Sequence, residues 1–196
     1  MNEILLNKFL DIFNNNILPL TLKGVDAGNK IFGAAILNKD DYSLVVAGSN
    51  NETENPLWHG EIYTLKKFYE INKQMRPNEK NCIFLSSHEP CSLCLSAITF
   101  SGFDNFYYLF PYISTSDKFN IPHDINILKE VFNITEGNYN RQNSYWKSFQ
   151  INDLINKLDE DKKKNFSDSF NNIRNTYFNL SNKYQKNKEK NSIPLK

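Results

Sequence analysis

The chain has 196 residues, 40% of them hydrophobic and 23% charged, with a formal net charge of +1. That length suits one domain with a sizeable core. The near-zero charge excludes the global field that draws a protein to nucleic acid or to an anionic membrane, and no apolar run approaches membrane-spanning length.

In chain order, Met1 to Asp11 carries charge early and reads as an amphipathic helix rather than a signal peptide, the helix itself spanning Ile4 to Phe13. Ile31 to Leu37 reads as a strand, Asn38 to Tyr42 as a turn and Ser43 to Ala47 as the hairpin partner. From His59, the apolar residues Ile62, Leu65, Phe68 and Tyr69 recur at helical spacing until Pro77 and Asn78 break the pattern. Residues 82–87 read as a buried strand with Cys82 a packed core thiol, and Cys91 opens a second helix through Leu95, Ile98 and Thr99. Asn105 to Phe110 is an aromatic-rich strand, Pro111 to His123 an irregular loop, and Asp124 to Phe132 a helix capped by Asp124. Two strands followed by alternating helix and strand give a mixed sheet with helices on both faces.

Beyond Asn152 the character changes. Ile151, Leu154, Ile155 and Leu158 make a short amphipathic helix, and a longer polar helix begins near Lys162. Its stripe of Phe166, Phe170, Ile173, Tyr177, Phe178 and Tyr184 fits a helix packed on the domain better than a nucleic-acid platform. Lys186 to Lys196 reads as a solvated, partly frayed and dispensable tail.

Two motifs carry the chemistry: His59-Gly60-Glu61, and Pro90-Cys91-Ser92-Leu93-Cys94. A catalytic zinc takes three protein ligands and leaves one position for water. His59, Cys91 and Cys94 supply three ligands, and Glu61 remains as an acid/base. Either half alone is weak: an H-x-E triplet is commonly two polar residues on a helix face, and a C-x-x-C serves redox pairs and structural zinc sites too. Together they form the H-x-E…P-C-x-x-C pattern of zinc deaminases. The stretch between them is long enough for the helix, loop and strand of a β-α-β unit. Both motifs fall at helix N-termini, where the positive helix end favours thiolate over thiol. Two committed cysteines of three imply a reducing, cytoplasmic compartment.

On these residues the chain resembles the cytidine deaminase superfamily from about Ile31 to Phe132. Phe32 to Ala35, Gly48 to Asn51, Asn55 to Glu61 and Glu89 to Cys94 carry the match, and the run Cys94 to Ile98 is similar to the guanine, cytosine and tRNA-adenosine deaminase branch. The resemblance implies a three-layer α-β-α fold with a mixed five-stranded sheet, in which the strand after the cysteine helix runs parallel to the strand before it. With the change of character near Asn152, this gives an expected catalytic domain over residues 1–150 and a C-terminal helical extension over 151–196. The resemblance implies Zn²⁺ on His59, Cys91 and Cys94, with Glu61 as proton shuttle. Asn51, or Asn50 beside it, matches a substrate-binding Asn, and Asp117 a base-recognising acid, although an ordinary turn residue fits that position equally. Glu89 matches a structural residue. Phe32, Trp58 and Phe110 are aromatic candidates to stack on a base or to sit in the core, and His88 lies at the strand end near the metal. A homodimer is implied, with helices of this region at the interface.

The expected activity is zinc-dependent hydrolytic deamination of a free nucleobase, nucleoside or nucleotide, releasing ammonia. The alternatives are a tRNA adenosine-to-inosine deaminase or subunit, which the basic tail could serve, and a non-catalytic zinc-stabilised binding module. Glu61 argues against the last, because a structural site has no use for a carboxylate two residues from a ligand.

Overall fold

The computed structural model describes residues 2–196; Met1, at the edge of the expected N-terminal helix, lies outside the described residues. Five strands form the sheet among them: β1 (Gly33–Asn38), β2 (Leu44–Ser49), β3 (Cys82–His88), β4 (Asn105–Phe110) and β5 (Lys147–Gln150), in the order β2-β1-β3-β4-β5. β1 is antiparallel to β2 and β3, whereas β3, β4 and β5 run parallel. The parallel β3–β4 pair requires a crossover, supplied by α4 (Ser92–Phe100).

Strand periodicity builds the layers. On β1 and β3, Ala35, Leu37, Ile83 and Leu85 face one apolar cluster, and Ala34, Ile36, Cys82 and Phe84 face the other. α3 (Gly60–Glu70) and α4 cover the second face through Leu65, Phe68, Leu95 and Ile98. The first face is covered by both ends of the chain. α1 (Asn2–Ile12) and α2 (Leu18–Asp26) bring Phe9, Phe13 and Ile17, while α7 (Ile151–Ile155) and α8 (Glu160–Asn187) bring Ile151, Phe170, Ile173 and Tyr177. The aromatic stripe of α8 is therefore core.

Four elements differ from the sequence reading. The first helix does not stop at Phe13: a π turn over Phe13–Ile17 joins α1 to α2, with the Leu18 N–H donating to the Phe13 carbonyl. Pro19 has no N–H to give an α-helical ladder, and the widened turn absorbs that loss while Phe13 and Ile17 stay buried. The expected loop from Pro111 to His123 contains α5 (Tyr112–Phe119), anchored by buried Tyr112, Thr115 and Phe119 and ended by Asn120 in the left-handed region at φ 54°. In α6 (His123–Phe132) Asp124 is no cap: Pro122 takes that position, and Asp124 is buried in the first turn. The tail is not free. Ile193 is only 2% exposed, Asn191 donates to the Gly28 carbonyl at 2.9 Å, and the Lys196 carbonyl accepts from His123 Nε2 at 3.0 Å.

The seating of α3 on the sheet is close. A Cβ at Gly48 of β2 would lie 2.7 Å from Thr64 Oγ1 and 3.2 Å from the Thr64 backbone nitrogen. Thr64 cannot yield easily, since its hydroxyl donates to the Gly60 carbonyl at 2.7 Å. Gly48→Ala is expected to destabilise the fold by about 1–3 kcal/mol through overpacking, measured by chemical denaturation. Wild-type stability would show that α3 has slack.

Candidate active site

β1 and β3 lie side by side, and α3 and α4 both begin at the end of the sheet where β3 finishes. His59 and Cys91 are the residues preceding these helices, both with extended backbone, at φ −60°, ψ 160° and φ −63°, ψ 171°. Glu61 and Cys94 follow in the first turns. Cβ atoms lean toward a helix N-terminus, so the four side chains converge in front of the two helix ends.

His59 Nδ1 is 3.4 Å from Cys91 Sγ and 3.8 Å from Cys94 Sγ, and the two sulfurs are 3.5 Å apart. A tetrahedral zinc with ordinary Zn–N and Zn–S bonds has edges of about 3.6 Å for N···S and about 3.8 Å for S···S. The donor atoms thus already have the spacing of zinc ligands, and the set is the only such cluster among the described residues. Cys91 is held well below the usual thiol range by its hydrogen bond with Cys94 and, against the cost of burial, by His59.

Glu61 is completely buried, accepts a hydrogen bond from Ser86 Oγ at 2.9 Å, and places Oε2 3.4 Å from Cys94 Sγ. Burial first, and then the negative charge of Cys91, raises its carboxyl to about 7. Its Oε1 is 3.6 Å from Nδ1 of His88, whose Nε2 is 3.9 Å from Asp124 Oδ2. Burial, followed by the charges of His59 and Lys30, pushes His88 down to about 3, so this ring is neutral at physiological pH. The same cause, burial, joined by the charge of Cys91, holds the Asp124 carboxyl well above its usual range.

A cavity of about 370 Å³ opens on this group, walled by Phe32, Asn50, His59, His88, Cys91 and Asp124. Phe32 stacks on His88 with ring centroids 3.8 Å apart. Of the two asparagines, Asn50 faces the cavity, and its amide is engaged at both ends: Oδ1 accepts from Gly60 N–H at 2.6 Å and Nδ2 donates to Glu52 at 2.8 Å. Asn51 instead donates to Glu54 at 2.6 Å. Trp58 packs on Tyr63 at 5.5 Å and does not line the cavity, Asp117 is exposed on α5 away from it, and Phe110 is core. Glu89 is structural, accepting from Tyr112 N–H, Tyr139 Oη and Arg141 Nε and so bracing the chain just before Cys91.

Three contributions were not read from the sequence: the Lys30–Glu52 pair, Asp124 as a wall residue, and the segment Ile193 to Leu195, which closes one side of the cavity. An acid in the short loop before His59 was the only visible sign of the first. For the others, contact arises only once α6 and the chain end have folded over the site.

Residues 15–110 match the family model described as "Cytidine and deoxycytidylate deaminase zinc-binding region", a span that holds β1 to β4 and both motifs. Over that span the chain is similar to the cytidine and deoxycytidylate deaminases. The chain is also similar to the guanine deaminase of Bacillus subtilis (strain 168), 32% identical over 91 residues, which make up 45% of this chain. That match spans 56% of the relative's length. The X-ray structure of guanine deaminase from Bacillus subtilis aligns with 23% identity and a TM-score of 0.51, covering 68% of this chain and 86% of the other, and shows a shared fold. A guanine deaminase structure from Nitrosomonas europaea aligns over 90% of this chain and 91% of the other at 19% identity and a TM-score of 0.49.

Purified protein is expected to carry one zinc per chain, and Cys91→Ala to lose it, as read by elemental analysis after dialysis. Full zinc retention in Cys91→Ala would remove that residue from the ligand set.

Proposed function

We propose that the protein is a zinc-dependent hydrolytic deaminase of a small nucleobase, nucleoside or nucleotide, replacing an exocyclic amine by oxygen and releasing ammonia. The observation that carries this reading is Glu61: a buried carboxyl raised to about 7, beside the three-ligand set yet outside it. A purely structural metal site gains nothing from such a group, whereas a general acid/base works best with a pKa near the working pH.

Zinc, when bound by His59, Cys91 and Cys94, supplies the Lewis acid that makes water nucleophilic near neutral pH. Glu61 takes the proton from the attacking water and delivers it to a ring nitrogen, making the amine-bearing carbon electrophilic. It then carries a proton to the departing ammonia. The neutral His88 and the Phe32 face shape the slot for a planar ring. Asp124, its carboxyl raised and its side chain in the wall, offers both a donor and an acceptor to the edge of a base.

The enclosure of the cavity favours a small substrate over tRNA. Ile193, Pro194 and Leu195 lie across one side, where a polynucleotide would need an open approach. Among the described residues no helix is long and apolar enough to cross a membrane. The three free cysteines suit a reducing, cytoplasmic setting. On the outer side of α3 and α4, Tyr69 and Phe100 are exposed, Phe100 by 93%, and this face supports pairing into a homodimer.

Ammonia release across cytosine, guanine, adenine, their nucleosides and nucleotides, and tRNA tests the proposal; turnover of at least one small compound is expected, and turnover of tRNA alone would contradict it. Glu61→Ala should keep zinc while turnover falls by about 10²–10⁴-fold. Unchanged turnover would place the proton shuttle elsewhere. Deleting residues 192–196 should leave the fold intact and raise KM about 10-fold by stripping apolar wall from the cavity; an unaltered KM would mean that the chain end does not touch substrate.

A further inference from the structure

The imidazole of His59 has two nitrogens with different surroundings. Nδ1 faces the two thiols, and Nε2 faces Glu52 Oε1 at 3.6 Å. Glu52 is itself held firmly. Lys30 Nζ donates to Oε1 at 2.8 Å, the Lys30 backbone N–H to Oε2 at 3.3 Å, and Asn50 Nδ2 to Oε2 at 2.8 Å. The side chains of Lys30 and Glu52 are only 8% and 1% exposed.

Burying an ion pair is poor economy as a source of stability, because desolvation offsets most of the attraction. This pair is nonetheless completed by two further donors, which leaves the free side of Oε1 turned toward the histidine. Asn50 links the arrangement to the helix, its Oδ1 accepting from Gly60 N–H, the residue between His59 and Glu61. The carboxylate, the histidine backbone and the start of α3 are thereby fixed as one unit. A metal-bound histidine needs its distal N–H oriented by an acceptor, and a carboxylate in that position sets both the tautomer and the ring direction.

We propose that Glu52, held by Lys30 and Asn50, is a positioning residue that fixes the His59 ring with Nε2–H toward the carboxylate and Nδ1 toward the metal. This rests on the zinc centre described above. The loop from Asn51 to Trp58 is then part of the metal site, although it supplies no ligand, and Lys30 keeps the carboxylate committed to that geometry instead of swinging into the cavity.

The test is zinc affinity of the folded protein, by competition with a colorimetric chelator, for wild type, Glu52→Gln, the double variant Lys30→Met/Glu52→Gln and the exposed control Glu54→Gln. Glu52→Gln and the double variant should bind zinc about 10–100-fold more weakly, and Glu54→Gln should match wild type. Cobalt substitution should give the thiolate-to-metal absorption band in each, showing that the ligands are unchanged. In the zinc protein, nitrogen NMR of His59 should show a protonated Nε2 whose hydrogen exchanges faster once Glu52 is replaced. The double variant leaves no unpaired buried charge, so it decides the matter if Glu52→Gln folds poorly. Wild-type zinc affinity and wild-type exchange in the folded double variant would overturn the proposal while leaving the zinc centre standing. Failure of the wild type to bind zinc at all would overturn both.

Discussion

Everything at the site depends on two helix N-termini meeting at one end of the sheet. α3 and α4 approach from the same face, and each is preceded by a residue in extended conformation that turns its side chain toward the other helix. The convergence needs a rigid floor. β3 provides it, with every residue from Cys82 to His88 buried between β1 and β4. The positive ends of both helices then act on the same small volume, which suits thiolates and a carboxylate held out of water. Burial in that volume and the charge of Cys91 raise the Glu61 carboxyl to about 7, in spite of its backbone hydrogen bond, the charge of His59 and the Ser86 hydroxyl.

Each half of the ligand set is braced by a buried carboxylate. Glu89 ties α5 and the segment around Tyr139 and Arg141 to the chain just before Cys91. Glu52 ties Lys30 and Asn50 to the chain just before His59. Neither acid is a metal ligand, and both leave few polar groups unmatched in a region where an orphaned charge would be costly. His88 is the exception: its Nδ1 is buried without a hydrogen-bond partner, directly beside Glu61. A neutral imidazole there leaves an unfilled position next to the group proposed to exchange protons.

The motifs could be read from the sequence because their chemistry is local: His59, Glu61, Cys91 and Cys94 are defined by short spacing and by the helices they open. The strands β1, β2, β3 and β4 were legible for a similar reason, being apolar runs bounded by turn residues. The fifth strand, Lys147 to Gln150, was not, since an edge strand that is only half-buried carries little apolar signal. The cavity wall was least legible. Asp124 looked like a helix cap because acids commonly are, and only the packing of α6 against His88 turns it inward. Trp58, beside the first motif, and Asp117, by resemblance, were candidate substrate contacts, yet Trp58 packs at a tilt against Tyr63 of α3, and Asp117 falls on the exposed side of a helix that the sequence pattern had hidden. The Lys-rich end misled for a related reason. Its charge suggested solvent, while Ile193, Pro194 and Leu195 beyond the lysines carry the contacts that matter.

The central claim is that this site uses water to replace an amine. It is tested most directly by running the reaction of the zinc-loaded protein in heavy-oxygen water, with whichever small amine-bearing base or nucleoside releases ammonia, and weighing the product. Hydrolytic deamination predicts one heavy oxygen in the product for each ammonia released, and loss of both signals when zinc is removed by a chelator. Ammonia release without the heavy oxygen, or release that persists unchanged in the chelated protein, would contradict the account.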